Sequence, residues 1–573
     1  MQQMRLQRLV NTAVALLVAM VAPKTGSAAE FEMPRWADEA EILENQTGLK
    51  TNFDGNGYAD LAVGAPGQDL NPLIESVGAL SAFCWDSSTW MPSSGETWFQ
   101  TATGSTTSEA DDQFAEVLTT GDFNGDGVWD LAIGVPHEDW NGDTHPDAGM
   151  VQVLFGASGT GLTLAGSQFF DQGSSGIPGD VEDGDRFGFA LAAGDFDDDG
   201  YDDLAIGVPY EDIGGIIDAG YVTIIFGGAG GLDVDHTEAW TRNDASGTNE
   251  NETDDRFGWA LATGDFDGDG YGDLAIGTPS DDLGAVTNSG SVDILFGSIG
   301  GLTTRPTNDY WHQDRIGIEG TAEPYDAFGA TLAAGDFDDD GYDDLAIGVP
   351  GEDLGSPAVS NAGYVHVLFG SSAGLTATGS EAFHQGGGST SDSCELEDQF
   401  GLSLATGDFN DDGYDDLVVG VPKEDWGAVP DAGIIHIFWG GFAGVDDHDQ
   451  CIAQEDLVQN GDTEDHDEFG HAVAASDFNG DGYDDIAVGV PMKDINMIED
   501  AGWVVILFGT SGNVSHFNMT VHQGSAGSTA TYEANDRFGW ALAAVPLQSV
   551  PESLVFADGF ESGTTAAWTD TAP

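Results

Sequence analysis

Residues 336–350, DFDDDGYDDLAIGVP, put a nine-residue acidic loop directly ahead of an apolar strand. Asp336, Asp338, Asp340 and Asp344 stand at loop positions one, three, five and nine, and Gly341 stands at six. Alternate side chains of a short loop turn inward, and glycine permits the sharp bend, so carboxylate oxygens gather around a hard cation. The backbone carbonyl of Tyr342, at position seven, adds a ligand. Leu345 to Val349 then alternates large and small residues, the two-residue period of a strand.

The unit recurs seven times at intervals of about 70 residues, which makes this a repeat architecture. Positions one, three, five, seven and nine are Asn52, Asp54, Asn56, Tyr58 and Asp60 in the first copy, and Asp122, Asn124, Asp126, Val128 and Asp130 in the second. The third has Asp195, Asp197, Asp199, Tyr201 and Asp203; the fourth has Asp265, Asp267, Asp269, Tyr271 and Asp273. Asp336, Asp338, Asp340, Tyr342 and Asp344 form the fifth, and Asp408, Asn410, Asp412, Tyr414 and Asp416 the sixth. The seventh has Asp477, Asn479, Asp481, Tyr483 and Asp485. Position nine is aspartate throughout, and each loop is followed by Gly-x-Pro. The expected cofactor is Ca²⁺, up to seven ions, with the first loop weakest because two asparagines replace carboxylates.

Within a repeat, 328–333 reads as a first strand, 345–349 as a second, 363–370 as a third, and a fourth lies near 381–385. Four strands per unit, radially repeated, make a propeller blade. The expected fold is therefore all-β, a seven-bladed propeller with four antiparallel strands per blade. The chain opens on a calcium loop and ends on a lone first strand, Phe538 to Ala543, so that C-terminal strand should complete the first blade and close the ring. Its Phe538, Trp540 and Leu542 are the expected core contributors.

Arg5 and Arg8, the apolar run Leu9 to Ala22 and the small residues Ser27 to Ala29 predict a signal peptide over 1–29 and a secreted or cell-surface product. A lead-in follows at 30–51, the propeller at 52–545 and a tail at 546–573. The net charge of −88, from 101 acidic against 13 basic residues, argues against nucleic acid and anionic membrane as partners. No later stretch is long and apolar enough for a membrane span. Cys84 is expected to be buried; Cys394 and Cys451 could pair.

A second pattern precedes every first strand: Glu at five and Asp at two residues before its Phe. The pairs are Glu109/Asp112, Glu182/Asp185, Glu252/Asp255, Glu323/Asp326, Glu395/Asp398, Glu464/Asp467 and Glu533/Asp536. Such acids commonly form side-chain-to-backbone turns; a second cation set or a sugar-binding rim is the alternative. His366 and His436 occupy positions where other blades have Thr223 or Asp293, which suits an exposed strand face.

The Phe-Gly and Gly-x-Pro landmarks with the nine-residue loop between them resemble the FG-GAP repeats of the integrin α-subunit propeller, over about Asn52 to Val545. The resemblance implies calcium in the hairpin loops and an adhesion or interaction role, with an extracellular protein or glycan as ligand. No integrin β-type partner is expected, and the chain should be monomeric. FG-GAP propellers also accompany phospholipases of the phosphatidylinositol-glycan-specific type, but no separate catalytic domain is expected here. No esterase elbow, zinc-protease helix or phosphate loop is present, so the reading is a binder and not an enzyme. The alternative is a polysaccharide-acting enzyme or lectin using Trp140, Trp311 and Trp426 to stack on sugar rings.

Overall fold

The computed structural model describes residues 52–69, 76–85, 94–100, 110–140, 144–246, 251–305, 310–355, 359–386, 393–446, 448–457, 463–523, 525 and 533–545. The signal-peptide, lead-in and tail assignments lie outside them. The described residues form seven four-stranded antiparallel sheets. Blade 5 is representative: Thr331–Gly335, Asp344–Val349, Tyr364–Phe369 and Thr376–Phe383 hydrogen-bond in chain order. Its first two strands pair from Thr331 opposite Gly348 to Gly335 opposite Asp344, so the acidic loop is the tip of that hairpin. The fourth strand begins five residues earlier than the sequence pattern suggests, because it continues past a break in register opposite Val367 and Phe369.

The first strands of blades 2 to 7 are Val117–Gly121, Ala190–Gly194, Ala260–Gly264, Thr331–Gly335, Ser403–Gly407 and Val473–Ser476. Each packs on the first strand of the next blade. Their small residues allow that crowding, and hydroxyls stitch it: Thr263 Oγ1 donates to the Ala193 carbonyl at 2.8 Å, and Thr406 Oγ1 to Ala334 at 2.7 Å. Each second strand is buried end to end, for example Asp203–Val208 and Asp344–Val349. Its apolar side chains fill the space between blades, as where Leu204, Ile206 and Val208 join Phe123 and Val151 of the preceding blade. The glycine of Gly-x-Pro is required there: a Cβ on Gly207 would lie 2.1 Å from the carbonyl oxygen of Gly258 in the next blade.

Leu542–Ala544 closes the ring. It pairs antiparallel with Leu61–Val63 of blade 1 and packs between the first strands of blades 7 and 2. Phe538 is buried as expected, but Trp540 and Leu542 are only half-buried; Ala543 and Val545 take the inner positions. Phe538 and Val545 together bring about 3–6 kcal/mol of burial. A chain ending at Asp536 should therefore lose cooperative unfolding or aggregate, whereas a chain ending at Gln548 should melt like the full-length protein. Identical calorimetric melting of the Asp536 truncation would contradict this closure.

His366 corrects the expected exposed strand face. Both His366 and His436 are buried, at 1% and 0% exposure. The His436 ring is hydrogen-bonded to Asp449. Neither ring nitrogen of His366 has a hydrogen-bond partner, and burial pushes its pKa down to about 3. The folded state then refuses a proton that the unfolded chain accepts below about pH 6.5. Stability is present above that pH and falls by about 1.4 kcal/mol per unit as pH drops toward the folded value. Val505 is buried at the equivalent position of blade 7. His366→Val should remove that component, so the variant-minus-native stability difference, read by denaturant titration, should rise between pH 6 and 4.5. A pH-independent difference would refute it.

Candidate functional site

In blades 2 to 7 each hairpin loop is organised by its own carboxylates. At position one, Asp195 accepts N–H bonds from Asp199 at 3.1 Å and Gly200 at 2.9 Å; Asp336 accepts from Asp340 and Gly341 in the same way. Position five accepts the N–H of position seven, as Asp340 does from Tyr342 at 3.1 Å. Position nine is buried at the base. Asp344 takes the N–H of Phe337 at 3.0 Å on one oxygen and that of Gly370, just past the third strand, at 2.8 Å on the other. Asp130, Asp203, Asp273 and Asp416 repeat this with their own Phe and Gly. Burial, reinforced by neighbouring loop carboxylates and partly offset by the N–H bonds, pushes all five up to about 8. Asp60 and Asp485 move the same way for the same first reason.

Three loops bring carboxylates to a point. Oxygens of Asp195, Asp197 and Asp199, of Asp265, Asp267 and Asp269, and of Asp336, Asp338 and Asp344 lie within 4.8 Å of one another in each group. Such all-oxygen sets suit a hard divalent cation, and in blades 3 and 5 no ion pair among the described residues offsets their charge. In blades 2, 6 and 7 the position-three asparagine turns inward: Asn124, Asn410 and Asn479 donate to Asp130, Asp416 and Asp485. An amide turned through 180° would present its oxygen instead. The first loop is closed by amides, with Asn52 donating to Asn56 at 2.8 Å and Asn56 to Asp54 at 2.9 Å.

Two features escaped the sequence reading. Arg305 reaches the fourth loop, ion-paired with Asp267 and 3.7 Å from Asp269, and stacks on Phe296. The guanidinium comes from outside the loop, and nothing in the repeat period marks it. The second is position eight. Asp202, Asp343, Asp415 and Asp484 each accept the N–H of the position-one aspartate in the preceding blade, at 2.7 to 3.1 Å. The paired aspartates of YDDL were the available signal. Loops of adjacent blades are thus clamped to one another.

The Glu/Asp pairs resolve as turns. Asp185, Asp255, Asp326, Asp467 and Asp536 accept the N–H of Glu182, Glu252, Glu323, Glu464 and Glu533. Glu109 lies outside the described residues. None of the three cysteines is in a disulfide, so Cys394 and Cys451 are not bonded to each other, and Cys84 is buried. Trp311 is 1% exposed within the core and cannot stack on a sugar, while Trp426 packs against the core of its blade.

The open ends of the hairpins carry a different chemistry. Phe189 and Trp259 lie 4.6 Å apart with Tyr210 beside them, and Arg186 and Arg256 stack on Tyr210 at 4.7 and 5.2 Å. Arg256 and Trp259 also line a cavity of about 420 Å³ with Asn288, Tyr325 and Leu402. In a chain with 13 basic residues, two arginines held on one aromatic ring mark this end as distinct.

The fold and its acidic hairpin loops define a seven-bladed β-propeller built from one repeated unit. The chain is an FG-GAP repeat protein: the FG-GAP repeat profile matches residues 46–81, 114–154, 187–225, 257–295, 328–368, 400–438 and 469–507. It is similar to integrin alpha-PS2 of Drosophila melanogaster, 33% identical over 242 residues, covering 41% of this chain and 15% of that protein. It is also similar to phosphatidylinositol-glycan-specific phospholipase D of Homo sapiens, 34% identical over 191 residues, covering 32% of this chain and 21% of that protein. The matches thus span about a fifth or less of these relatives. An exotype rhamnogalacturonan lyase is a structural neighbour at 13% identity and a TM-score of 0.35, covering 74% of this chain and 67% of that one. The phospholipase D match overturns the expectation that the chain is not an enzyme, because these repeats also occur in a protein named for a catalytic activity. Absence of familiar catalytic motifs was too weak a ground for that exclusion. Among the described residues no helix is long and apolar enough to cross a membrane.

Proposed function

We propose that this protein is a secreted, calcium-stabilised FG-GAP propeller that holds an extracellular protein or glycan at the arginine–aromatic end of its ring. The observation that carries the calcium reading is the convergence of three aspartates within 4.8 Å in blades 3, 4 and 5. Positions one, three, five and nine would supply carboxylate or amide oxygens and position seven its carbonyl, with the ion adding charge neutralisation at the hairpin tip. Arg186, Arg256, Tyr210 and Trp259 suit a ligand that combines a flat apolar face with a carboxylate, as an acidic glycan or peptide does. The similarity to integrin alpha-PS2 supports an interaction role. The similarity to phospholipase D favours a second reading, in which the propeller serves an extracellular enzymatic activity.

Extracellular calcium modules bind at roughly 10⁻⁴ to 10⁻³ M, so millimolar calcium gives roughly 0.4–1.4 kcal/mol per site by linkage. Excess EGTA should lower the melting temperature sharply, and an unchanged melting curve would remove calcium from this account. On an array of extracellular proteins and glycans with calcium present, Arg256→Ala and Trp259→Ala should each weaken the leading interaction about tenfold, equivalent to about 1.4 kcal/mol. Binding untouched by both substitutions would place the ligand elsewhere.

A further inference from the structure

A second set of polar groups lies buried between the blades, away from the hairpin loops. At the junction of blades 2 and 3, Gln172 follows the last strand of one blade, while Asp185 and Glu211 belong to the next. All three are at least nine-tenths buried, at 6%, 1% and 6% exposure. Gln172 Nε2 donates to Glu211 at 2.5 Å, and Gln172 Oε1 is buried with no partner. The junction of blades 4 and 5 repeats it. Gln313, Asp326 and Glu352 are 2%, 1% and 7% exposed, Gln313 Nε2 donates to Glu352 at 2.5 Å, and Gln313 Oε1 has no partner. Each junction therefore buries two carboxylates and an idle amide oxygen. No lysine or arginine of the described residues forms an ion pair there.

The chain itself displays what such a junction lacks. Between blades 3 and 4, Arg242 replaces the glutamine, and its guanidinium lies 2.6 Å from Asp281 and 3.4 Å from Asp255, the counterparts of Glu211 and Asp185. Between blades 6 and 7, Lys493 replaces the glutamate and sits 3.1 Å from Asp467 and 2.8 Å from Glu464. Two unrelated substitutions thus deliver a positive charge to the same place. Buried charge without a partner is strongly disfavoured. In keeping with this, burial pushes Asp185 up to about 7 and Asp326 up to about 8, whereas their counterpart Asp255, beside Arg242, rises only to about 6.

We propose that the junctions Gln172–Asp185–Glu211 and Gln313–Asp326–Glu352 are binding sites for a hard metal cation, a second class of site separate from the hairpin loops. The cation takes the place held by Arg242 and Lys493 in their junctions. Its donors are the two carboxylates and the glutamine oxygen, which faces the ion once the amide turns over. Because donors come from both sides of the junction, the ion ties neighbouring blades together, whereas a loop ion ties strands within one blade.

Native mass spectrometry of the full chain equilibrated with calcium reads this directly, with sodium and magnesium arms to identify the ion. Glu211→Gln with Glu352→Gln should bind two fewer ions than the native chain. Gln172→Arg should bind one fewer and should raise the melting temperature in EGTA, since it imports the arrangement of Arg242. An unchanged ion count in the double variant in every arm would overturn the proposal, because the pair would then be held by a proton. So would an unchanged count in Gln172→Arg. Asp195→Asn with Asp336→Asn tests the loops separately: ions lost there and retained at the junctions, or the reverse, show which class of site fails.

Discussion

One buried carboxylate per blade holds the hairpin together. The position-nine aspartate accepts one N–H from the loop and another from the residue after the third strand, so a single side chain fixes three strands in relation to one another. It sits at the crowded start of the second strand, where no water can replace those bonds. Everything else in a blade follows from that anchor. The second strand leaves the loop fully buried, its glycine lets the next blade approach, and its apolar side chains fill the space between blades.

The anchors are coupled around the ring. Where position eight is aspartate, its carboxylate reaches the position-one N–H of the blade before it, as Asp343 does for Asp265 and Asp415 for Asp336. Loops of neighbouring blades therefore share a bond as well as a surface. Gly272, Ala59 and Trp129 occupy position eight in the other blades and cannot make it. Blade 4 keeps the backbone contact, from Gly272 N–H to the Asp195 carbonyl at 2.8 Å. Acidic charge is thus used at the hairpin tips, while Arg186 and Arg256 gather on aromatic rings at the opposite end of the strands. A chain of net charge −88 so keeps one end chemically distinct from the rest.

Much of this architecture was legible because it repeats. The period, the loop spacing and the imbalance between a leading loop and a trailing strand identified blades, hairpins and closure from residues alone. What remained hidden depends on contacts between repeats or outside them. His366 reads as a surface residue in an alternating strand, yet a neighbouring blade covers that face. Trp311 reads as a loop aromatic and is core. Arg305 approaches Asp267 from beyond the third strand, so no loop pattern includes it. The Glu/Asp pairs showed their period clearly, but the groups gathered near them, Glu211 near Asp185 and Gln172 hydrogen-bonded to Glu211, lie in turns far away in sequence.

The central claim is that the acidic hairpins, once their charge is offset by a cation, hold the ring's second strands in place. Hydrogen exchange read by mass spectrometry tests it segment by segment, comparing chelated protein with protein returned to millimolar calcium. The account predicts slower exchange on calcium addition in the loops and second strands of residues 195–208, 265–278 and 336–349, with the weakest response in residues 52–65. Exchange in these segments that is indifferent to calcium would contradict it.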